Sequence, residues 1–232
     1  MYSVIFSCLF PFPVESPQRK VYYILQVSQQ IGYNKDMDKT IAYFNEHAEK
    51  QFREAFEIKD RTQQDLFLSH VRKGGHVLDL GCGSGRDTAY FKEQGYTADA
   101  CDGSEELCRL ASEYLKQPVK VMGSRELCAD SAYDGIYASA SVMHLPYEDL
   151  RSLFPKLFWA LKEDGVLYAS FKYGDHEEFS HGRHFTYLDE DRIRELVKDL
   201  PCEIIEIGRF GLDTEKLYGF SWIYILAKKN MK

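Results

Sequence analysis

Between Val77 and Asp87 the chain reads Val-Leu-Asp-Leu-Gly-Cys-Gly-Ser-Gly-Arg-Asp, an apolar run that enters three alternating glycines and leaves into a helix-compatible stretch. Glycines so placed free the backbone for left-handed turns and let it approach a ligand where a Cβ would collide. A strand that turns through such a loop into a helix opens a βαβ unit, and that unit demands a parallel sheet with its crossover helices on the faces. The feature therefore points to an α/β architecture.

The rest of the chain repeats the alternation. Short apolar runs at His76–Leu80, Tyr96–Cys101, Val119–Met122, Gly135–Ser139 and Val166–Lys172 read as strands, and Ser84–Glu93, Ser104–Lys116 and Glu148–Leu161 read as the helices between them. Pro155 is expected to bend the last helix. Downstream come a polar loop, a helix at Asp189–Leu200, a strand at Glu203–Ile207 and a closing strand at Ser221–Ala227. Upstream, Ile41, Phe44, Ala48, Phe52, Ala55 and Phe56 recur at helical spacing, consistent with a helix capped near Asp38, and a second helical stretch covers Thr62–Arg72. No internal repeat is visible.

Residues 1–36 differ: three of the seven prolines fall by Pro17, charges are sparse, and Val21–Val27 is an isolated β-like run. This segment reads as an appendage to a domain at 37–232, with Met37 as the native start or with the segment serving as a lid or dimer arm. No apolar run reaches the roughly 18–20 residues that span a bilayer. The first stretch lacks the basic flank and small-residue cleavage site of a secretory signal. Six cysteines without a C-x-x-C pair read as reduced thiols of a cytoplasmic protein. With 29 basic against 36 acidic residues the chain is opposite in sign to a phosphate-neutralising surface, so nucleic acid is a poor partner and a small molecule a better one.

What the glycine turn binds follows from its neighbours. A dinucleotide fingerprint would need glycine at position 86, which is Arg86, and no lysine follows the turn as a phosphate-binding P-loop requires. Asp79, two residues before the first glycine, would repel a pyrophosphate and attract an ammonium group. At the end of the next strand, in Asp102-Gly103-Ser104, an acid stands where strand ends hold ribose hydroxyls; alternatively it caps the helix that follows.

These residues resemble the class I S-adenosylmethionine-dependent methyltransferases, whose loop has the D-x-G-x-G-x-G form found at Asp79–Gly85. The resemblance runs from about Met37 to the C-terminus and is nearest to small bacterial tellurite-resistance-like members, which carry similar F-K-Y-G and G-R-x-F-T stretches. It implies a Rossmann-like, seven-stranded, mostly parallel sheet with the last strand antiparallel, helices on both faces, and S-adenosylmethionine across the strand ends. Carried over by position, Asp79, Cys82 and the backbone of Gly81, Gly83 and Gly85 bound the methionine part. Asp102 and Gly103 meet the ribose, Ser124, Arg125 and Glu126 the adenine, and Ser139 the amino acid part. Tyr43 covers the cofactor from the first helix.

The acceptor side is read from the residues after the fourth and fifth strands. His144 is the candidate base, or else a loop histidine shaping the turn before Pro146. Arg183 is placed to clamp an anionic acceptor with its planar fork, or to pair with Glu177 or Glu178, while Tyr173 closes the pocket. A metal is disfavoured, because His176 and His181 lie five apart rather than the four that share a helix face. The expected function is methyl transfer to a small molecule. A donor-binding sensor without chemistry is the alternative, and a nicotinamide-dependent oxidoreductase the less favoured one.

Overall fold

The computed structural model describes residues 35–211 and 220–230. Residues 1–34, most of the expected appendage, lie outside them. Three helices lead in: α1 (Lys35–Glu46), α2 (Ala48–Ala55) and α3 (Thr62–His70). The expected single amphipathic helix is thus two, parted at His47, whose ring Nδ1 lies 2.9 Å from the Tyr43 carbonyl. β1 (His76–Leu80), α4 (Arg86–Glu93), β2 (Thr97–Asp102), α5 (Glu105–Leu115), β3 (Lys120–Val121), β4 (Tyr133–Ala138), α6 (Tyr147–Ala160) and β5 (Leu161–Tyr173) follow in the anticipated alternation. Then come β6 (Glu177–Ser180), β7 (Arg183–Leu188), α7 (Glu190–Val197), β8 (Cys202–Phe210) and β9 (Trp222–Lys229).

The strands join in the order β3-β2-β1-β4-β5, all parallel, with β9 antiparallel to β5 and β8 antiparallel to β9. That is the expected seven-stranded frame with its last strand reversed. The sheet carries two strands more, because the segment read as a polar loop is the β6–β7 hairpin, whose second strand pairs parallel with Lys172 and Tyr173 at the end of β5. Its two turn residues, His181 and Gly182, have φ of +50° and +79°, the backbone of a tight hairpin turn.

Why the strands read as unbroken apolar runs is plain from the packing. Alternate residues serve opposite faces: Leu78, Leu80, Ile136, Leu167 and Phe171 pack with Leu153, Phe154 and Leu157 of α6, whereas Val77, Tyr137, Val166 and Tyr168 pack with Phe67 of α3 and Phe91 of α4. With helices on both faces, neither set meets water. Gly135 in β4 is required by this closeness, since a Cβ there would lie 2.6 Å from Phe67 Cζ.

Candidate functional site

The turn after β1 sits at the C-terminal edge of the parallel strands, the edge at which α/β sheets bind ligands. Gly81, Gly83 and Gly85 all have left-handed φ, +78°, +53° and +75°. At two of them packing also forbids a side chain: a Cβ on Gly81 would stand 2.3 Å from Ser141 Cβ, and one on Gly85 2.8 Å from Leu115 Cδ1. Gly83 is different. A Cβ there would meet nothing within 4 Å, because the residue borders an open cavity of about 310 Å³. The turn is pinned from below by the Gly81 and Cys82 amides, which donate to the Cys101 carbonyl at 2.8 and 2.9 Å.

Three carboxylates border this cavity; Asp87 is paired with Arg61 and Arg86, which leaves Asp79 and Asp102. Asp102 ends β2 and accepts from the Gly83 amide at 3.0 Å and the Ser104 amide at 2.8 Å. Burial raises its pKa against these bonds. Each oxygen keeps a further lone pair for a hydroxyl. The helix-cap role belongs to Ser104 rather than to Asp102, since Ser104 Oγ accepts from Leu107 N at the head of α5. Asp79 is 3% exposed and accepts from Thr88 Oγ1 at 2.6 Å. Burial first, then the neighbouring Asp87, push it up to about 8. A buried carboxyl in that state is ready for a cation.

The cavity passes under the N-terminal helices. Met37, Thr40, Ile41 and Phe44, spaced as one stripe of α1, form its roof, and Gly123, Ser124, Ser139 and Ser141 lie along its floor. The i, i+3, i+4, i+7 spacing of the roof residues was the signal for them. Tyr43, expected to cover the cofactor, points the other way: its ring stacks on His47 and lies against Arg183. Of the proposed adenine residues, Ser124 borders the cavity, whereas Arg125 pairs with Asp149 and neither it nor Glu126 lines the wall. Gly103 and Cys82 line it as expected. Arg86, the residue that spoils a dinucleotide fingerprint, holds the fold together by donating to the Ala55 carbonyl at 2.9 Å and to Asp87 at 2.8 Å.

At the far end of the cavity stands His144. Its Nδ1 lies 2.7 Å from the His184 carbonyl, which can only accept, so Nδ1 carries the hydrogen and Nε2 the lone pair. Burial, with Arg183 and Lys172 nearby, lowers its pKa to about 4, and the ring is neutral at physiological pH. Arg183 lies behind it, over the rings of Tyr43, Phe44 and Phe185 at 4.5, 5.9 and 5.0 Å from their centroids. The pairing of Arg183 with Glu177 or Glu178 is not formed. Glu177 accepts instead from the Tyr147 amide and Thr186 and faces His184, and Glu178 accepts from Tyr187. Tyr173 does not close the pocket: it is outside the cavity wall, with the Arg209 guanidinium 3.6 Å from its ring centroid.

Three of the thiols, those of Cys82, Cys101 and Cys108, are not poised as soft-metalloid ligands. Cys82, Cys101 and Cys108 are buried, and burial pushes Cys101 and Cys108 up to about 12 and Cys82 well above its usual value. Such cysteines hold their protons and act as core. Among the described residues no group of three His, Cys, Asp or Glu side chains is placed to hold a metal, and no helix is long and apolar enough to cross a membrane.

The comparisons with known proteins agree with this geometry. A family model described as a methyltransferase domain matches residues 77–165. An uncharacterized methyltransferase of Staphylococcus carnosus (strain TM300) is 25% identical over 164 residues, 66% of this chain and 79% of its own. Trans-aconitate 2-methyltransferase of Variovorax paradoxus (strain S110) is 31% identical over 135 residues, 56% of this chain and 49% of its own. In fold, the chain resembles Burkholderia thailandensis 1,6-didemethyltoxoflavin-N1-methyltransferase, solved with 1,6-didemethyltoxoflavin and S-adenosylhomocysteine. The TM-score is 0.64 at 21% identity, covering 95% of this chain and 93% of that one. The narrower likeness to tellurite-resistance-like members is not shown by these relatives. A glycine turn with an open cradle at Gly83, an acid at each of two adjacent strand ends and the matching family model point the same way: residues 77–165 match a methyltransferase domain, and the chain has the fold of the class I S-adenosylmethionine-dependent methyltransferases that it resembles.

Proposed function

We propose that this methyltransferase acts on a small-molecule acceptor that meets the donor beside His144. The observation that carries the reading is the continuity of one cavity from Asp102 and Gly83 to Phe44 and His144, so that donor and acceptor ends share a single space. Two of the similar proteins are named for low-molecular-weight acceptors, trans-aconitate and 1,6-didemethyltoxoflavin. The modest volume under α1, about 310 Å³, favours an acceptor of that size over a polymer.

The residues fit the donor. Asp102 offers lone pairs to ribose hydroxyls, Asp79 a countercharge to the donor's ammonium group, and Gly83 the space for its amino acid part. When bound, S-adenosylmethionine supplies a methyl group on a sulfonium, and the S–CH3 bonding pair stays on sulfur as the acceptor's lone pair forms the new bond. Alignment of such a displacement can contribute up to roughly 7–11 kcal/mol in ideal cases. Here α1 and the turn supply it by confining both partners. His144 Nε2 takes a hydrogen bond from the acceptor and orients its lone pair; as a weak base it suits an acceptor that loses its proton late. Arg183 stands by to balance acceptor charge.

The test is a titration of the purified protein with S-adenosylmethionine, S-adenosylhomocysteine and NAD, followed by turnover to S-adenosylhomocysteine with a low-molecular-weight fraction of cell extract and with the macromolecular fraction. Donor binding without NAD binding, and turnover with the small fraction, are expected. Turnover confined to the macromolecular fraction would overturn the small-molecule reading.

A further inference from the structure

Arg183 is a cation without an anion. Among the described residues no carboxylate lies within ion-pair distance of it, and the two that the sequence offered, Glu177 and Glu178, are engaged elsewhere. Its Nε is shut away from solvent and has no hydrogen-bond partner among the described residues. Burying such a donor without an acceptor costs about 1–3 kcal/mol, more for a charged group, and a structure keeps that cost where a partner is to come. A second cation stands on the same ring: Lys172 Nζ lies 3.7 Å from the centroid of Phe185, and Arg183 Cζ 5.0 Å from it. Lys172 donates to the Tyr187 hydroxyl at 3.3 Å, is drawn by Glu178, which accepts from that same hydroxyl, and is repelled by Arg183. Two like charges have therefore been gathered around Phe185, whose ring centroid lies 4.9 Å from that of His144, directly behind the residues that border the cavity.

We infer that the acceptor is an organic carboxylate, its anionic group held by Arg183 and Lys172 against the Phe185 ring, with the methyl-accepting atom directed past His144 toward the donor. A planar carboxylate matches the edge of a guanidinium through Nε and one Nη, which is the edge left vacant here. Phe44, which borders the cavity and lies 5.9 Å from Arg183, gives the carbon skeleton an apolar wall. The hairpin explains how the charges come together. The β7–β5 pairing sets Tyr187 opposite Lys172, and the His181–Gly182 turn brings Arg183 to the head of β7. This inference rests on the donor site described above, and its test separates the two.

The experiment uses the full chain saturated with S-adenosylhomocysteine and titrates it with benzoate and succinate, with benzamide and succinamide, and with phenyl phosphate and tellurite. The expected result is saturable binding of at least one of the acids, at least tenfold weaker binding of its amide, and a loss of at least tenfold in Arg183→Gln and in Lys172→Met. The S-adenosylhomocysteine affinity of each variant, read in the same titration, separates a lost acceptor site from a misfolded chain, and the acid-against-amide comparison needs no variant at all. Equal binding of acid and amide, unchanged acid binding in the well-folded variants, preference for phenyl phosphate or tellurite over both acids, or no binding by either acid would overturn the inference. Failure of S-adenosylhomocysteine itself to bind would remove the donor site, and this proposal with it.

Discussion

Asp79 is almost wholly buried, and burial with Asp87 beside it holds its carboxyl at about 8, so at pH 7 the unliganded protein carries it mostly protonated. An ammonium group placed against it selects the ionised form, so donor binding at pH 7 releases a proton, and the release fades as pH rises past 8. Calorimetry in buffers of differing ionisation heat measures that proton directly; its absence would place the ammonium elsewhere. The same shift has a folding consequence. A raised carboxyl pKa favours the native state fully below the unfolded value near 4, and that contribution is lost as pH rises through about 8. Asp79→Asn is therefore expected to stabilise the unliganded protein at pH 8 in urea unfolding while weakening donor binding by about 1.5–3 kcal/mol, the range for hydrogen bonds to charged groups. Asp102 behaves differently. It accepts from two backbone amides, so Asp102→Ala should cost donor affinity by a similar amount and also lower stability, by about 1–3 kcal/mol for the orphaned Gly83 and Ser104 amides. A variant that loses neither would mean that the carboxylate does not tie the turn to the ribose site.

The elements divide by how local their chemistry is. The β1 turn and the acid ending β2 were legible because each rests on residues adjacent in sequence whose types carry the geometry, whereas the cap of α5 falls to Ser104 and not to Asp102. The hairpin was not, since Glu177–Ser180 and Arg183–Leu188 are short, rich in polar and histidine residues, and joined by a His-Gly pair rather than the Asn-Gly that announces a tight turn. The orientation of Tyr43, Arg125 and Tyr173 was hidden for a different reason. Each is decided by a partner far away in the chain, Arg183, Asp149 and Arg209 respectively. The turn chemistry makes a prediction of its own. His181 holds φ +50°, where asparagine is at less disadvantage, so His181→Asn should raise hairpin stability by a few tenths to about 1 kcal/mol, visible as a higher Tm. A fall in Tm would show that the His181–Ser180 hydrogen bond at 2.7 Å outweighs the backbone preference.

At the scale of the whole molecule, the cavity lies between the sheet and the helix α1 that crosses its C-terminal edge. The sheet is closed on both faces by α3, α4 and α6, whereas α1 is attached through Thr40 Oγ1, which accepts from the His184 amide at 3.0 Å, and through Asn45, which accepts from Ser104 Oγ at 2.7 Å. Between these anchors, Met37, Ile41 and Phe44 border the cavity, Met37 also packing on the main core and Phe44 against His144. A ligand filling that space adds contacts chiefly to α1 and to the glycine turn. At S-adenosylhomocysteine concentrations of 100 Kd, mass action adds about 2.7 kcal/mol to the unfolding free energy, which for a chain of this size raises Tm by roughly 5–11 °C. Hydrogen exchange locates the effect, because local opening of weakly anchored elements is what a bridging ligand suppresses. Protection should concentrate in the backbone of 37–44 and 81–85, with the amides of β4 and β5 little changed. Uniform protection across the sheet would mean that the donor stabilises the core as a whole, and protection that spared α1 would mean that the donor does not lie beneath it.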